Sequence, residues 1–362
     1  DVAILYRAHY LSRELEDVFL KREIPYTIYS GVQFYGRMEI KDALSYLRMV
    51  IYRDDLSFLR IANVPKRNIG ERRMTFLKEY ALNHSCTLYQ ALLSTLDNDI
   101  FKGTKAKQFV RLIEGFAQDY EYMRLSEMLT LILDRSGYEA QLRLEGSQER
   151  LDNLAELKQA IMDLDDSCGE ECRPEDYLDR VALLTNHDVP DSKNAVKLMT
   201  VHTAKGLEFP YVFVVGLNDG IFPSKKTANV EGMEEERRLA FVAITRAEKG
   251  LYLTEPEGKN LDGSYRFPSR FIFNIDRTLL QYTHELDPRL VDDAKRFITA
   301  SQHTMEEGSG NLALAPGDRV EHSIMGAGVI VDIDQRKGAY VVQFDDLPTT
   351  RKISFKARLC KL

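Results

Sequence analysis

The sequence predicts an α/β protein: a parallel-sheet lobe, discontinuous in sequence, interrupted by an all-helical domain and followed by a small β-barrel. Three observations predict it. Short apolar strands alternate with amphipathic helices near both ends of residues 1–277, the repeat of a parallel sheet covered by helices. Between them, residues 54–189 repeat apolar positions at helical spacing with no convincing strand. Residues 316–362 break into short strands separated by Gly- and Asp-rich turns.

Taken in order, "VAILYR" (2–7) is a strand, and "HYLSRELEDVFLKRE" carries Leu11, Leu15, Val18 and Phe19 at helical spacing. Pro25 stops that helix, "YTIYS" (26–30) is a second strand, and residues 37–52 read as an amphipathic helix. Residues 1–53 are therefore expected to form the first part of the lobe, and 54–189 the helical domain. Strands return at 195–201 and 211–217, then a helix at 233–247 and a strand at 250–255, which completes the lobe over 190–277. Residues 278–315, with "MEEGSGNLALAPGD", read as a polar linker. The strands "GDRVEH", "GAGVIVDID", "AYVVQFDD" and "TRKISF" then suggest an SH3- or Tudor-like barrel.

Composition sets limits. A net charge of −7 over 362 residues excludes a basic field across the whole molecule, so any nucleic-acid binding must come from local patches. Of Cys86, Cys168, Cys172 and Cys360, only the "CGEEC" pair is close, and its spacing makes a poor zinc site; reduced thiols in a cytoplasmic protein are the expected reading. No apolar run reaches the ~20 residues of a membrane span and no signal peptide is visible, so no membrane partner is expected. The chain opens inside a strand and without methionine, which reads as a piece of a longer protein.

Chemistry concentrates in three stretches. In "VKLMTVHTAKGLEFPYVFVV" (196–215), two buried-strand patterns enclose Thr200, His202, Thr203, Lys205, Gly206 and Glu208. Ligands of parallel sheets bind beyond the carboxyl ends of strands. There Lys205 and nearby backbone can hold phosphate, Gly206 permits close approach, and Glu208 can accept from sugar hydroxyls; a solvated loop fits the spacing equally well. In "MEEERRLAFVAITRAEKGLYLT" (233–254), Leu239, Phe241, Val242 and Ile244 suggest a buried stripe, with Arg246 at the helix end. Arg246 fits either a cation favouring a helix C-terminus or a guanidinium reaching a phosphoryl group; taken alone, the first reading is the stronger. In "VPKRNIGERR" (64–73), Pro65 ends one helix and Lys66, Arg67, Arg72 and Arg73 cluster around an Asn68–Gly70 turn. Amides of such a turn can bind duplex phosphate without reading bases; a solvated basic turn is the plainer alternative.

The paired stretches "TVHTAKGLEFPYVFVVGLNDGIFP" and "EEERRLAFVAITRAEKGLYLT" closely resemble motifs V and VI of superfamily 1 DNA helicases of the UvrD/PcrA/Rep group. The opening 47 residues, "AILYRAHY" onward, resemble the start of that group's second RecA-like lobe, domain 2A; "NVPKRNIGERRM" and "ERLDNLAEL" continue the match into the inserted domain 2B. The resemblance covers roughly residues 1–275, and more weakly the tail, similar to the Tudor-like domain of PcrA-type proteins. It implies a 3′→5′ translocating, ATP- and Mg2+-dependent enzyme of repair and replication restart. It further implies that Thr200, His202 and Thr203 face DNA and that Glu208 meets the nucleotide sugar. Lys205 and Gly206 would lie at the DNA–ATP junction, and Arg246 on the γ-phosphate. Lys66, Arg67, Asn68 and Gly70 would meet duplex DNA at a junction, although the family usually has "GIG" where this chain has "NIG". Asn68 tolerates the left-handed backbone the turn needs. For the tail, the implied partner is RNA polymerase.

No G-x-x-x-x-G-K-[ST] phosphate loop occurs in the chain, and neither do the acidic Mg2+ motif and the water-activating glutamate. In the family these belong to a preceding N-terminal RecA-like lobe, so this chain is expected to be inactive alone. A helicase–nuclease relative is disfavoured because a small barrel stands where the nuclease carboxylates would be. The alternative from another class is a non-catalytic DNA- or protein-binding module derived from a helicase lobe.

Overall fold

A computed structural model describes every residue except 169–172, 187–193, 228, 259–264, 308–313, 323–324, 335–338, 346, 348, 355–358 and 362. Strands β1 (Val2–Tyr6), β2 (Tyr26–Ile28), β3 (Val196–Thr200), β4 (Phe209–Val214) and β5 (Ala247–Leu253) form a parallel sheet in the order β2-β3-β1-β4-β5. Side chains alternate between its faces. Ala3 and Leu5 join Met199, Val212 and Val214 on one face, under Leu239, Ala240 and Ala243 of helix α11 (Val230–Ile244). Ile4, Tyr6, Tyr26 and Leu198 line the other, against Leu15 and Phe19 of α1 (Ser12–Lys21). Because both faces are covered, these strands read as continuous apolar runs rather than alternating ones. Register places Tyr6 beside Thr200 and Leu5 beside Val214, so the carboxyl ends of the three central strands share one edge.

Two expected helical stripes are corrected. Val18 is 46% exposed. Helix α1 is rotated toward buried Ser12 and Glu16, which hydrogen-bond each other at 2.6 Å, and Val18 turns to solvent. Phe241 is 69% exposed, because at ~100° per residue it lies on the opposite side of α11 from Leu239.

The helical residues form a separate compact unit, Phe34–Asp188, that falls in sequence between the neighbouring strands β2 and β3. It holds α2 (Met38–Ile51), α3 (Asp55–Ile61), α4 (Glu71–His84), α5 (Leu88–Thr95), α6 (Ala106–Asp119), α7 (Leu125–Arg135), α8 (Tyr138–Glu145), α9 (Gln148–Cys168) and α10 (Pro174–Asn186). Its boundary therefore corrects the expected start at 54. Helix α2 belongs here because Ala43, Tyr46, Leu47, Met49 and Val50 are wholly buried in the helical core with Phe58, Phe109 and Leu129. Asp42 of α2 accepts from Arg60 (2.7 Å) and from the Tyr138 hydroxyl (2.6 Å), tying α3 and α8 to it.

The expected linker is also corrected, because it contains a helix, α12 (Pro288–Glu307). Ala294, Phe297, Ser301 and Met305 recur at helical spacing; Ala294 is buried, Phe297 meets Phe267 at 5.2 Å, and Met305 packs on the sheet core. The tail forms an antiparallel sheet in the order β10-β6-β7-β8-β9. Its strands are β6 (Arg319–His322), β7 (Gly326–Asp334), β8 (Ala339–Phe344), β9 (Arg351–Ser354) and β10 (Cys360–Lys361). Val320, Ile330, Val342 and Phe344 form its core. Among the described residues, no helix is long and apolar enough to cross a membrane.

Candidate functional site

Thr200 ends β3 and is buried. Its hydroxyl lies 3.0 Å from the Thr203 hydroxyl and accepts the Thr203 N–H at 3.3 Å, so it serves the turn. This corrects the expected DNA contact through that side chain: burial leaves it no surface to offer. The chain then coils tightly, with Ala204 N–H donating to Thr200 O (3.1 Å) and Leu207 N–H to Ala204 O (3.1 Å). Gly206 has φ +83°, and a Cβ there would meet nothing within 4 Å. Glycine is required by the backbone, and the space beside it is open. His202, Lys205 and Glu208 are exposed on this turn. The Lys205 ammonium and Glu208 carboxylate have no partner among the described residues. Partial burial, reinforced by the Arg7 charge, holds the His202 imidazole below the ordinary histidine range, so it is neutral near pH 7.

Arg246 follows α11 and reaches back to the same turn. Its Nε donates to Val242 O (3.0 Å), Nη1 to Leu207 O (2.9 Å) and Nη2 to Thr245 Oγ1 (2.9 Å). The Phe209 N–H donates to Arg246 O at 2.9 Å, so main chain and side chain both join the helix end to the loop. Each Nη carries a second N–H for a ligand. The structure thus brings Arg246 together with Gly206 and Glu208, which are far apart in sequence from it.

Sequence reasoning missed the neighbours of this edge. Arg7, directly after β1, is paired with buried Glu236 of α11 at 2.6 Å. Met233, Glu236, Ala240 and Ala243 fall at helical spacing, so a carboxylate on an apolar stripe was the available signal. The loop 216–227 after β4 is braced from several sides. Asn218 Nδ2 donates to Pro256 O (3.1 Å), Asp219 pairs with Arg270 (2.9 Å) with both side chains buried, and Glu236 accepts the Ser224 N–H (3.2 Å). A cavity of about 260 Å3 lies between this loop and α12, lined by Asp219, Ser224, Arg270, Phe297 and Ser301 among others.

In the helical unit, the basic turn divides sharply. Arg67 is 5% exposed. Its Nη1 donates to the carbonyls of Ile61 (2.8 Å) and Val64 (3.0 Å), its Nη2 to the Tyr46 hydroxyl (2.6 Å), and its guanidinium lies over Phe109, 4.8 Å from the ring centre. This corrects its expected phosphate contact: the cation is consumed as an internal brace. Arg73 likewise donates to Ile100 O (2.6 Å) and Asn68 O (2.9 Å). Asn68 adopts φ +60°, the left-handed conformation expected of it, and its Nδ2 donates to Gly103 O at 3.3 Å. Lys66, Arg72 and Gly70 are exposed, and Gly70 opens α4 with no side-chain cap, leaving the first amides of that helix toward solvent.

In the tail, Phe344 is core, and Arg319 and Lys352 are paired with Asp345 and Asp334. Of the Cys168–Cys172 pair, Cys172 lies outside the described residues; Cys86 is a free, half-buried thiol.

Comparison with known proteins places these motifs in context. The UvrD-like helicase C-terminal domain family matches residues 1–257. The ATP-dependent DNA helicase PcrA of Staphylococcus aureus (strain MRSA252) is 35% identical over 356 residues, covering 94% of this chain and 49% of the relative. The PcrA of Staphylococcus epidermidis (strain ATCC 12228 / FDA PCI 1200) is also 35% identical over the same shares. The chain spans about half the length of the curated relatives it matches.

Proposed function

The chain belongs to the UvrD-like helicase C-terminal domain family, as the C-terminal portion of a UvrD/PcrA-group superfamily 1 helicase, and on that premise we propose the activity of its parent. The parent is an ATP-dependent 3′→5′ DNA helicase that couples ATP hydrolysis to movement on single-stranded DNA, in repair or replication. The observation that carries this reading is the bond from Arg246 to the Leu207 carbonyl, which sets a guanidinium beside Gly206 and the unpartnered Glu208.

In this reading Glu208 accepts from the ribose hydroxyls, while Lys205 and the open backbone at Gly206 face the phosphates. Arg246 stabilises charge on the departing γ-phosphoryl group, where a planar fork of donors suits the equatorial oxygens. His202 and Thr203 face single-stranded DNA, with Thr200 holding their turn in shape. Lys66, Asn68 and Gly70, with Arg72 and the open amides of α4, meet the phosphates of duplex DNA at a junction. The phosphate loop and the acidic Mg2+ ligands come from a preceding RecA-like lobe. The parallel sheet is domain 2A, the helical unit is an inserted domain 2B, and the tail is a Tudor-like module that docks RNA polymerase.

Two measurements test the proposal. Residues 1–362 alone should give no DNA-stimulated ATPase, whereas the full-length parent should; turnover by residues 1–362 that survives Arg246→Ala would overturn the bipartite site. Deleting 316–362 from the parent should abolish polymerase retention while sparing unwinding; retention without the tail would overturn its assignment.

A further inference from the structure

Helix α12 and the loop after β4 enclose polar space. In the helix Phe297, Ser301 and Met305 recur every four residues and so share one face, turned toward the loop. The cavity between them, of about 260 Å3, has the liquid volume of about nine waters. It is just under the size of an ordinary small-molecule pocket. Its polar wall is built around Arg270, whose side chain is 4% exposed. Asp219 Oδ1 accepts from Arg270 Nε (3.1 Å) and Nη2 (2.9 Å), and Oδ2 accepts the Arg270 main-chain N–H (2.9 Å). The carboxylate is therefore spent on one edge of the guanidinium. Nη2 also donates to Ser301 Oγ (3.2 Å), whereas Nη1 is buried and has no hydrogen-bond partner among the described residues. A buried donor left unpaired is costly, and Nη1 carries two N–H groups; with the Ser301 hydroxyl they call for oxygen acceptors. Lys225 also lines the cavity; it is exposed, and its ammonium has no partner among the described residues. The charged lining is then two cations, Lys225 and Arg270, against the one carboxylate of Asp219, a net +1. Pro223, Met233, Phe297 and Met305 supply an apolar wall.

We propose that this cavity binds a small oxyanion carried on a short apolar body, a carboxylate or a phosphate monoester. The oxyanion takes the Nη1 end of Arg270, the Ser301 hydroxyl and Lys225, while the apolar body lies against Met233 and Phe297. A planar guanidinium suits paired oxygens, and Asp219 holds its plane in place from the opposite edge. Occupancy ties the 216–227 loop to α12 through one ligand. None of these groups has a part in the nucleotide or DNA contacts proposed above, so the inference goes beyond the helicase reading and does not depend on it.

The test is calorimetric titration of residues 1–362, which carry no phosphate-loop motif to compete. The probes are phenyl phosphate and benzoate, their bare head groups inorganic phosphate and acetate, and uncharged phenol. At least one aryl anion should bind at one site per chain, about tenfold or more tighter than its bare head group, because the ring adds apolar burial. The tighter of the two identifies the head group, and phenol should not bind measurably. Lys225→Glu reverses a charge at the cavity and should weaken the aryl anion about tenfold. Ser301→Met removes the hydroxyl, fills the space and should abolish binding. Arg270→Lys keeps the charge beside Asp219 without the Nη1 donors and should also weaken it; should that variant not fold, the Lys225 and Ser301 variants carry the test. No saturable binding of either aryl anion, binding that survives Ser301→Met, or phenol bound as tightly as the anions would overturn the site. The ATPase of the parent, present or absent, bears on the helicase reading alone.

Discussion

The helical unit and the parallel-sheet unit use the same kinds of charged residue to opposite ends. In the helical unit several buried or half-buried charges are paired internally. Asp42 holds Arg60 and Tyr138, Glu114 holds Arg53 and Tyr89, and Arg67 holds backbone carbonyls and Tyr46. At the carboxyl edge of the parallel sheet, Lys205, Glu208 and one edge of Arg7 have no partner among the described residues. The buried groups of that unit, Asp219–Arg270 and Glu236, brace the loops that carry the open ones. A charged residue therefore indicates a ligand only where the fold leaves it unsatisfied.

The largest expected effect would break or establish that contrast outright. In the parent, Arg246→Ala should cut ATP turnover by ~10³–10⁵ with nucleotide affinity less affected, since the guanidinium acts chiefly on transition-state charge. Arg246→Lys should not restore it, because an ammonium lacks the planar fork. Single-turnover hydrolysis measures both, and a loss confined to nucleotide affinity would count against the role.

Next in size is the other arginine. Arg67→Ala removes the buried bonds to the Ile61 and Val64 carbonyls and to the Tyr46 hydroxyl and empties the space over the Phe109 ring, and should destabilise the helical unit by roughly 2–4 kcal/mol in urea unfolding. A stability within ~0.5 kcal/mol of wild type would return Arg67 to the solvent side of the comparison.

Glu255 sharpens the contrast from the side of unpartnered groups. Burial, with help from Glu257, pushes its carboxyl up to about 7, and Oε2 has no hydrogen bond. Because the folded form holds its proton more tightly than the unfolded chain, the stabilisation is present below the ordinary glutamate range and lost as pH rises through about 7. Between pH 4.5 and 8, wild type should lose roughly 1–3 kcal/mol relative to Glu255→Gln. By contrast, Glu114, paired with Arg53 and Tyr89, is held below its usual range. Parallel pH–stability curves for wild type and variant would remove Glu255 from the argument.

The smallest effect separates two residues of one turn. Lys66→Ala should leave stability within ~0.5 kcal/mol and lower the salt slope of duplex-junction binding by ~1 unit. His202→Ala should leave the salt slope of single-strand binding unchanged at pH 7.5, because the imidazole is held neutral. A slope that falls for His202 and not for Lys66 would reverse the assignment of open charges.

Much of this was legible in the sequence. Apolar runs of four to six residues between helical stretches marked β1, β3 and β4, and the period of 3.6 marked the helical block. The "HTAKGLEF" turn was placed correctly at strand ends because parallel strands leave polar residues nowhere else to go. Asn68 was legible as a left-handed position, since that depends on local backbone sterics alone. The boundary at Phe34, the helix at Pro288–Glu307 and the exposure of Val18 and Phe241 were not, because each depends on which neighbour a helix packs against.

Sequence by itself determined most element types outside residues 278–315, the order of the chain and the chemical inventory of each loop, all of which follow from periodicity and local conformational preference. Only the tertiary structure decided which of those groups are free. Arg67 and Lys66 are adjacent cations of similar reach, yet one lies among carbonyls and aromatic rings and the other faces water. Glu236 and Glu208 are both carboxylates in resembling motifs, and one is closed by Arg7 and Ser224 while the other stays open. The physical reason is that pairing energy depends on donors brought close in space from 12 to 229 positions away, a separation that no local pattern encodes.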